Sequence, residues 1–255
     1  MTPDSYAQQN QPPGVAPLHL TGERTLPDVP AENYWFRRHL AVYEWIAARV
    51  AGQRVVDMAC GEGYGSACLA DAANSVVGVD ANPEAYEHAR QRYRAVNLRF
   101  ERALVETYGE PGAFDAVVFL QTIEHLQEPK RILEHFRGLL SQRGVAYIST
   151  PNVLTLAPAG AAKSDNPWHV KEYRAEEFEA LCRSVFARVS LLGLHHAAKL
   201  RLHGLALRAG WDSVHRRLGI TKPFYDRFTP AIRASDFALR AELEGALDFL
   251  AVCRD

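Results

Sequence analysis

Short apolar runs alternate along the chain with longer stretches in which apolar residues recur every three or four positions. Segments of strand length are predicted at 53–58, 75–80, 97–101, 114–119, 144–149 and 189–194. The stretches with helical spacing lie at 64–72, 83–95, 129–140 and 176–186. Strands that alternate with helices favour a parallel sheet covered on both faces. The pattern therefore predicts an α/β core over residues 53–194.

The segments outside this core have other patterns. Residues 1–20 are rich in Pro, Gln and Asn and are predicted to form a disordered tail. Residues 21–52 include an amphipathic helix that we expect to cap the sheet, and residues 247–255 return to a strand pattern. Residues 195–246 are too long for a plain loop, so we expect a helical lid or interface insertion there. Its helical stretches are 199–218 and 235–246.

Composition narrows the class of protein. The formal net charge is -1 over 255 residues, which gives no overall attraction to nucleic acid or to a membrane surface. We find no apolar run of spanning length and no signal-peptide pattern. The four cysteines lack metal-like spacing and are expected to be reduced. We therefore expect a cytoplasmic protein with no membrane insertion and no nucleic-acid partner.

A glycine-rich turn follows the first predicted strand, and the second predicted strand ends in Asp80. Gly61 and Gly63 are expected to touch a ligand, because glycines let the backbone approach closely and a helix N-terminus presents unpaired N–H groups. Gly65 is expected only to permit close packing of the helix on a strand. A carboxylate at Asp80 can accept hydrogen bonds from two ribose hydroxyls. These residues predict a ligand with an adenosine-like ribose.

The spacing of the glycines distinguishes between nucleotides. The dinucleotide motif G-x-G-x-x-G would need a third glycine where this chain has Ser66. Asp57 precedes the glycines, and its carboxylate would repel a pyrophosphate. It suits, directly or through water, the ammonium group of a methionine-like ligand. Both residues disfavour a nicotinamide oxidoreductase.

Further motifs lie in order along the chain. Phe114–Phe119, Ile123–Leu126 and Gly144–Asn152, together with the glycine turn and Asp80, resemble class I S-adenosylmethionine (SAM) methyltransferases. The resemblance extends from residue 33 to 195 and includes the C-terminal strand. It implies a Rossmann-like, mostly parallel seven-stranded sheet with helices on both faces and an antiparallel last strand. It also implies SAM as cofactor and S-adenosylhomocysteine (SAH) as product.

The resemblance assigns residues to the adenosine half of SAM. Asp80 would bind the ribose hydroxyls, and Ala81 and Asn82 would lie beside the adenine. Many family members place an acid after the third strand to contact the adenine amine, whereas this chain has Leu104 there. The adenine is therefore expected to rest on backbone and apolar contacts around Ala103 and Leu104.

The methionine half of SAM is assigned in the same way. Gln121 is expected to end the fourth strand beneath the sulfonium, and Asp57 would face the ammonium group. Tyr34 and Arg38 are expected to close over SAM, with the guanidinium pairing with its carboxylate.

The acceptor side contains two candidate general bases, His125 and His169, each of which also has a purely structural interpretation. Trp168 offers a flat apolar face that suits a sugar ring. His196 belongs to a basic stretch that forms either a solvated face or a surface for an anionic or polyhydroxylated acceptor. Some relatives hold a divalent cation at the positions of Glu124 and His125, but these two residues alone do not predict a metal site, and we expect none.

Three segments, Thr21–Thr25, Glu32–His39 and Asn166–His169, resemble an actinobacterial branch of the family. That branch is associated with methylated polysaccharides and glycolipids such as methylglucose lipopolysaccharide, which favours a sugar hydroxyl, on a small molecule or an oligosaccharide, as acceptor. Other functions stay open: natural-product O- or N-methylation, a non-catalytic SAM-binding partner subunit, and RNA methylation, which the charge disfavours. A homodimer through residues 195–246 is also considered.

Overall fold

The computed structural model describes residues 7–22, 24–157, 163–208 and 227–255. Within them, one eight-stranded sheet has the order β3-β2-β1-β4-β5-β8-β6-β7. The strands are β1 Arg54–Met58, β2 Ser75–Asp80, β3 Leu98–Arg102, β4 Phe114–Leu120, β5 Leu140–Pro151, β6 Arg188–His196, β7 Phe237–Arg240 and β8 Asp248–Arg254. The helices are α1 Asn33–Ala47, α2 Tyr64–Ala70, α3 Pro83–Arg92, α4 Pro129–Leu139, α5 Val153–Leu156, α6 Ala175–Arg183 and α7 Ala198–Arg208.

Strand directions confirm the predicted fold class. Strands β1 to β5 pair in parallel, and β8 inserts antiparallel between β5 and β6. One apolar core, which includes Phe136 of α4 and Phe178 of α6, covers one face of the sheet. A second core, which includes Ile46 of α1 and Leu69 of α2, covers the other face. Successive strand residues such as Val55 and Val56 therefore enter different cores, as the two-residue period of a strand requires.

The prediction of seven strands is wrong at one edge of the sheet. Residues 235–246 were expected to be helical, but β7 forms there and pairs antiparallel with β6. Phe237 at the start of β7 is buried. The free edge of β6 offers unpaired backbone N–H and C=O groups, and pairing with them outweighs the local helical spacing of a short segment.

The chain order places a crevice at the carboxyl ends of β1 and β4. From β1 the chain continues to β2 and β3 on one side of the sheet, and it then returns to β4 and β5 on the other side of β1. The connections after β1 and after β4 therefore lead away from each other, which opens a crevice between these two strands. The connection from β2 ends at α3, where Asn82 accepts hydrogen bonds from the backbone N–H groups of Glu84 and Ala85, and Pro83 is the first helical residue. This cap fixes the turn that directly follows Asp80.

Residues 7–18, within the segment predicted to be a disordered tail, make specific contacts with the glycine turn and α3. Gln8 is buried, and its amide lies 3.0 Å from a Glu62 carboxylate oxygen. The carbonyl oxygen of Ala16 lies 2.9 Å from Nδ1 of His88 on α3. The polar composition of this segment predicted disorder, because a pattern of apolar residues does not reveal hydrogen bonds to buried partners elsewhere in the chain. Residues 1–6 lie outside the described residues.

The predicted insertion begins with α7, which coincides with the first part of the expected 199–218 helix; the rest of that helix lies outside the described residues. The homodimer considered for this insertion stays a prediction. Among the residues that the structure describes, no helix is both long and apolar enough to cross a membrane.

Candidate active site

A cavity of about 530 Å³ opens at the carboxyl ends of β1, β2 and β4. The residues that follow these strands line it, at 59–62, 80–82 and 120–122. Thr25 and His39 of the N-terminal part also line it. The glycine turn, Asp80 and Gln121 therefore meet around one cavity, here called the cofactor cavity.

Asp80 presents its carboxylate to the cofactor cavity. One oxygen accepts a hydrogen bond from the backbone N–H of Gly61 at 2.8 Å, and the other accepts one from Asn82 N–H, also at 2.8 Å. A carboxylate offers about four acceptor positions, so each oxygen keeps acceptor capacity for a ligand hydroxyl. The two backbone bonds fix the orientation of the group, which suits a ribose diol.

Left-handed backbone conformations cluster around this cavity. Gly61 and Gly63 have φ angles of 55° and 95°, which glycine adopts easily. Ala59 and Gln121 also have positive φ angles, of 57° and 50°, although both have side chains. Such strain costs of order 1–3 kcal/mol per residue and is found at functional sites held by their surroundings. Gln121 is held by Ser149, whose hydroxyl oxygen accepts from its side-chain amide at 3.0 Å.

Asp57 does not line the cofactor cavity. It is fully buried, and its two oxygens accept hydrogen bonds from Ser66 Oγ at 2.7 Å and from the Tyr43 hydroxyl at 3.2 Å. Burial raises the pKa of Asp57 to about 7. Both Asp57 oxygens are thus used by hydroxyls of α1 and α2, so the side chain is not placed for direct contact with a ligand ammonium, and a contact through water stays a prediction.

Gly65 permits close packing, but its neighbour is the helix α1 and not a strand as expected. A Cβ at this position would lie 2.1 Å from the Tyr43 ring of α1. The glycine thus lets α1 and α2 approach closely.

The residues expected beside the adenine divide into two groups. Ala81 and Asn82 line the cofactor cavity. Ala103 and Leu104 are not among its described lining residues: Ala103 packs against a core, and the side chain of Leu104 is 58% exposed. The backbone N–H of Ala103 donates to the Asp80 carbonyl, so this turn stays close to the crevice without facing the cavity.

A second cavity of about 300 Å³, here called the acceptor cavity, adjoins the first. Gln121 and His125 line both, so the two cavities meet at the end of β4. Most of its other lining side chains are polar: Arg24, Thr25, Glu32, Arg38, His39, Glu124, Asn166 and His169. Trp35, 38% exposed, adds an aromatic surface. Trp168, 50% exposed, lines the cofactor cavity nearby.

The two candidate bases have different surroundings. His169 is buried, with Nδ1 2.7 Å from a Glu172 oxygen and Nε2 3.0 Å from the Asn166 amide nitrogen. The Asn166 oxygen accepts the backbone N–H of Trp168, which fixes the amide so that its nitrogen donates to His169. Both ring nitrogens of His169 are therefore occupied.

His125 lies against His169, with ring centroids 5.0 Å apart. Its Nδ1 lies 2.9 Å from the Trp168 carbonyl oxygen, an acceptor, so the neutral ring carries its proton on Nδ1. Its Nε2 then carries the lone pair and lies 3.9 Å from a Glu124 carboxyl oxygen. A lone pair in a ring that lines both cavities is suited to accepting a proton.

Glu124 lies next to these rings. It is buried, accepts a hydrogen bond from the Thr150 hydroxyl at 3.1 Å, and its pKa is raised by burial to about 8. Donor atoms of Glu124, His125 and His169 all lie within 4.8 Å of one another. One carboxylate and two imidazoles can hold a divalent cation. His169 would have to give up a present partner to take part, so this group is a candidate for cation binding only with a local rearrangement.

Three residues expected at the ligand are instead used to join α1 to the sheet. Arg38 is buried and pairs with Asp248 of β8 through two bonds, of 2.7 and 2.5 Å, so its guanidinium is not available as the expected partner of a cofactor carboxylate. It still lines the acceptor cavity. Tyr34 donates to or accepts from His196 at 2.8 Å. Neither Tyr34 nor His196 is among the described lining residues of the two cavities.

His39 and Thr25 line both cavities and were not predicted. Nδ1 of His39 lies 3.2 Å from the Thr25 hydroxyl, which is also 3.1 Å from the Tyr64 hydroxyl. Burial lowers the pKa of His39 to about 4, so the ring is neutral. Both residues lie within segments that suggested the actinobacterial branch, but nothing in those segments indicated which side chains face a cavity.

Comparisons with known proteins agree with this geometry. A family model described as "Methyltransferase domain" matches residues 56–148. A probable S-adenosylmethionine-dependent methyltransferase from Mycobacterium tuberculosis is 38% identical over 202 residues, covering 77% of this chain and 73% of the relative. A protein from Mycolicibacterium smegmatis with the same description is 35% identical over 246 residues, covering 92% of this chain and 94% of the relative.

The chain belongs to the SAM-dependent methyltransferases. Among solved structures, a SAM-dependent methyltransferase from Thermotoga maritima, described as a possible histamine N-methyltransferase, matches with a TM-score of 0.60. It is 13% identical and the match covers 88% of this chain and 93% of that one, so the likeness shows the fold. SAM supplies an activated methyl group when bound. The Asp80 carboxylate with its remaining acceptor positions is a feature of this methyltransferase that fits the ribose of SAM.

Proposed function

We propose that this methyltransferase transfers the methyl group of SAM to a hydroxyl of a sugar or glycoconjugate. The observation that carries the proposal is the acceptor cavity, which meets the cofactor cavity at Gln121 and His125. An acceptor there would lie beside the expected methionine end of SAM. Methyl transfer is a displacement in which the protein mainly aligns the nucleophile behind the methyl group.

The lining of the acceptor cavity favours a polyhydroxylated molecule. Its carboxyl, amide, imidazole and guanidinium groups offer both donors and acceptors, as a sugar ring requires. Trp35 lines this cavity and Trp168 lines the adjoining one, and both are partly exposed aromatic side chains of the kind that suit the apolar faces of a sugar. A flat, mostly apolar acceptor would leave many of these polar groups without partners, at a cost in affinity.

Within the proposal, Asp80, Gly61, Ala81 and Asn82 bind the adenosine part of SAM. Gly63, which is not among the described lining residues of the cofactor cavity, shapes the turn and packs against Ala89 and Phe100. Gln121 contacts the methionine part. Asp57 supports the glycine turn from beneath by holding Ser66 at the start of α2.

His125 is the proposed general base for the acceptor hydroxyl. Its Nδ1–H bond to the Trp168 carbonyl orients the ring, and its Nε2, 3.9 Å from a Glu124 oxygen, is the proposed proton acceptor at the junction of the two cavities. His169 is proposed to position this segment through Asn166 and Glu172, since both its ring nitrogens already have partners.

In an alternative mechanism, Glu124, His125 and His169 hold a divalent cation that activates the acceptor hydroxyl. Adding a chelator to the turnover assay distinguishes the two mechanisms. Loss of turnover that a divalent cation restores would favour the cation, and unchanged turnover would favour the base.

The test is a mass-spectrometric assay of methyl transfer from SAM to a panel of mono- and oligosaccharides, with phenols and amines as competing classes. We expect a sugar to gain one methyl group and His125→Ala to lower turnover by about 10²–10⁴-fold, the usual contribution of a general base. His135→Ala is the matched control, because that ring bonds the Tyr108 carbonyl outside both cavities. Transfer only to phenols or amines would contradict the sugar proposal. No transfer to any class would favour a non-catalytic SAM-binding role.

A further inference from the structure

Glu62 lies between the two glycines of the cofactor turn, yet its side chain points into the protein and is fully buried. A buried carboxylate is costly unless charged or polar partners surround it. The Oε1 atom lies 3.0 Å from Gln8 Nε2, 3.0 Å from His88 Nε2 and 3.3 Å from Arg92 Nε. The Oε2 atom accepts a hydrogen bond from the Tyr93 hydroxyl at 2.7 Å. The turn is therefore anchored by a single carboxylate with contacts on both oxygens.

The anchoring groups come from two different parts of the chain. His88, Arg92 and Tyr93 belong to α3 and its C-terminal cap. Gln8 belongs to residues 7–18, here called the N-terminal strap. The Gln8 side chain is itself oriented, because its oxygen accepts the backbone N–H of Leu18 at 3.0 Å.

The N-terminal strap is tied to α3 at two further points. The Ala16 carbonyl oxygen lies 2.9 Å from Nδ1 of His88, and the Gln11 side-chain oxygen accepts from Arg92 at 2.7 Å. The same two α3 side chains contact Glu62. The strap, α3 and the glycine turn therefore share one buried polar network.

This network lies directly behind the cofactor cavity. Glu62 lines that cavity with its turn, and the preceding residue, Gly61, donates its backbone N–H to Asp80. The turn is thus held by two carboxylates, Glu62 on the interior side and Asp80 on the cavity side. Removing a contact of Glu62 leaves a buried charge less well satisfied, and the turn can relieve this by moving. Such movement would displace the Gly61 N–H from Asp80.

We infer that Gln8 and Tyr93 are positioning residues that act through Glu62 to hold the glycine turn in its SAM-binding shape, so that the N-terminal strap is coupled to cofactor binding. The inference rests on the SAM site and is independent of the acceptor. If the strap raises SAM affinity, then SAM must stabilise the strap by the same factor, because binding free energies are reciprocal. If the strap only stabilised the fold, SAM binding would not change the stability of the strap.

The first test is calorimetric titration of the full chain with SAH. Gln8→Ala removes one contact of Glu62, and Tyr93→Phe removes only a hydroxyl. We expect each to weaken SAH binding about ten-fold, since a hydrogen bond to a charged group contributes that much or more when it is fully expressed in binding. Matched controls are Gln142→Ala, which removes an exposed side chain of the same type from β5 and not from the strap, and Tyr86→Phe on α3.

The second test separates positioning from plain stabilisation. In the wild type, amide hydrogen exchange in residues 7–18 should slow on addition of saturating SAH, and Tyr93→Phe should reduce that protection. The double variant Gln8→Ala/Tyr93→Phe should weaken SAH binding by a factor that departs from the product of the single effects, because both residues act on one carboxylate. SAH affinities within two-fold of wild type in both single variants, or exchange in the strap that SAH leaves unchanged, would overturn the inference. Both readouts use SAH alone, so they hold whichever acceptor is methylated.

Discussion

Replacing Asp80 by Asn tests the cofactor site with the smallest change of shape. In the structure the two carboxylate oxygens each accept one backbone N–H at 2.8 Å. An amide at this position has a single acceptor oxygen, so its NH₂ group must face the N–H of either Gly61 or Asn82, donor against donor. The variant therefore loses one turn contact and one acceptor for the ribose.

The magnitude follows from the bonds that are lost. Hydrogen bonds to a charged acceptor contribute about 1.5–3 kcal/mol each, and two ribose hydroxyls are expected to use the carboxylate. Losing about 3 kcal/mol corresponds to an affinity decrease of about 100-fold, at 1.4 kcal/mol for each factor of ten. Misplacement of the glycine turn would increase the loss further.

Calorimetric titration with SAM and SAH measures this directly. Asp115→Asn is the matched control, because this substitution removes the same charge at the end of β4 that lies away from the cofactor cavity. There Asp115 pairs with Arg54 at 2.9 Å. We expect the control to bind SAM and SAH as the wild type does. An Asp80→Asn variant that binds SAM within about three-fold of the wild type would show that the carboxylate does not hold the ribose, since a single lost charged hydrogen bond already exceeds that factor.

Three further predictions concern stability and can be checked by denaturant unfolding. Arg38→Met should destabilise the protein by about 3–5 kcal/mol, because it leaves the buried Asp248 carboxylate unpaired. Gly65→Ala should cost about 1–3 kcal/mol, because a methyl group would lie 2.1 Å from a ring of α1, whereas Gly138→Ala, with open space around the new Cβ, should be tolerated. Burial raises the pKa of Asp57 to about 7, so between about pH 4 and 7 the native state holds a proton that the unfolded chain has released. Stability should therefore fall as pH rises through this window, and Asp57→Asn should flatten the slope.

Much of the fold could be predicted because the apolar pattern of most strands is enough to show that they are buried. Val55, Val56 and their equivalents in β2, β4 and β5 form near-continuous apolar runs, which indicate a sheet covered on both faces. The edge strand β7 lacked such a run, and its extended form depends on pairing with β6, which no local pattern reports. The N-terminal strap was missed for a related reason, since the groups that order it lie on α3 and on Glu62.

The candidate site was predictable where function depends on backbone geometry. Gly61 and Asp80 follow strand ends, so their place at the crevice follows from the fold alone. The roles of Arg38 and His196 depend on which side chains meet across distant elements, namely Asp248 and Tyr34. The sequence shows that position 38 is an arginine and position 196 a histidine, but it does not show which side chains they contact. A charged residue near a site pairs with the opposite charge that the fold brings to it.

The acids around the cofactor turn illustrate how the partner decides the role. The oxygens of Asp57 accept from side-chain hydroxyls, and Glu62 has contacts on both oxygens from α3 and the N-terminal strap. Both are buried and serve the turn. Asp80 differs because its two fixed bonds come from the backbone and its carboxylate lines the cavity. Asp80 is thus the acid among these three that the fold orients without using all of its acceptor capacity, which is why it is the one proposed to bind the ribose.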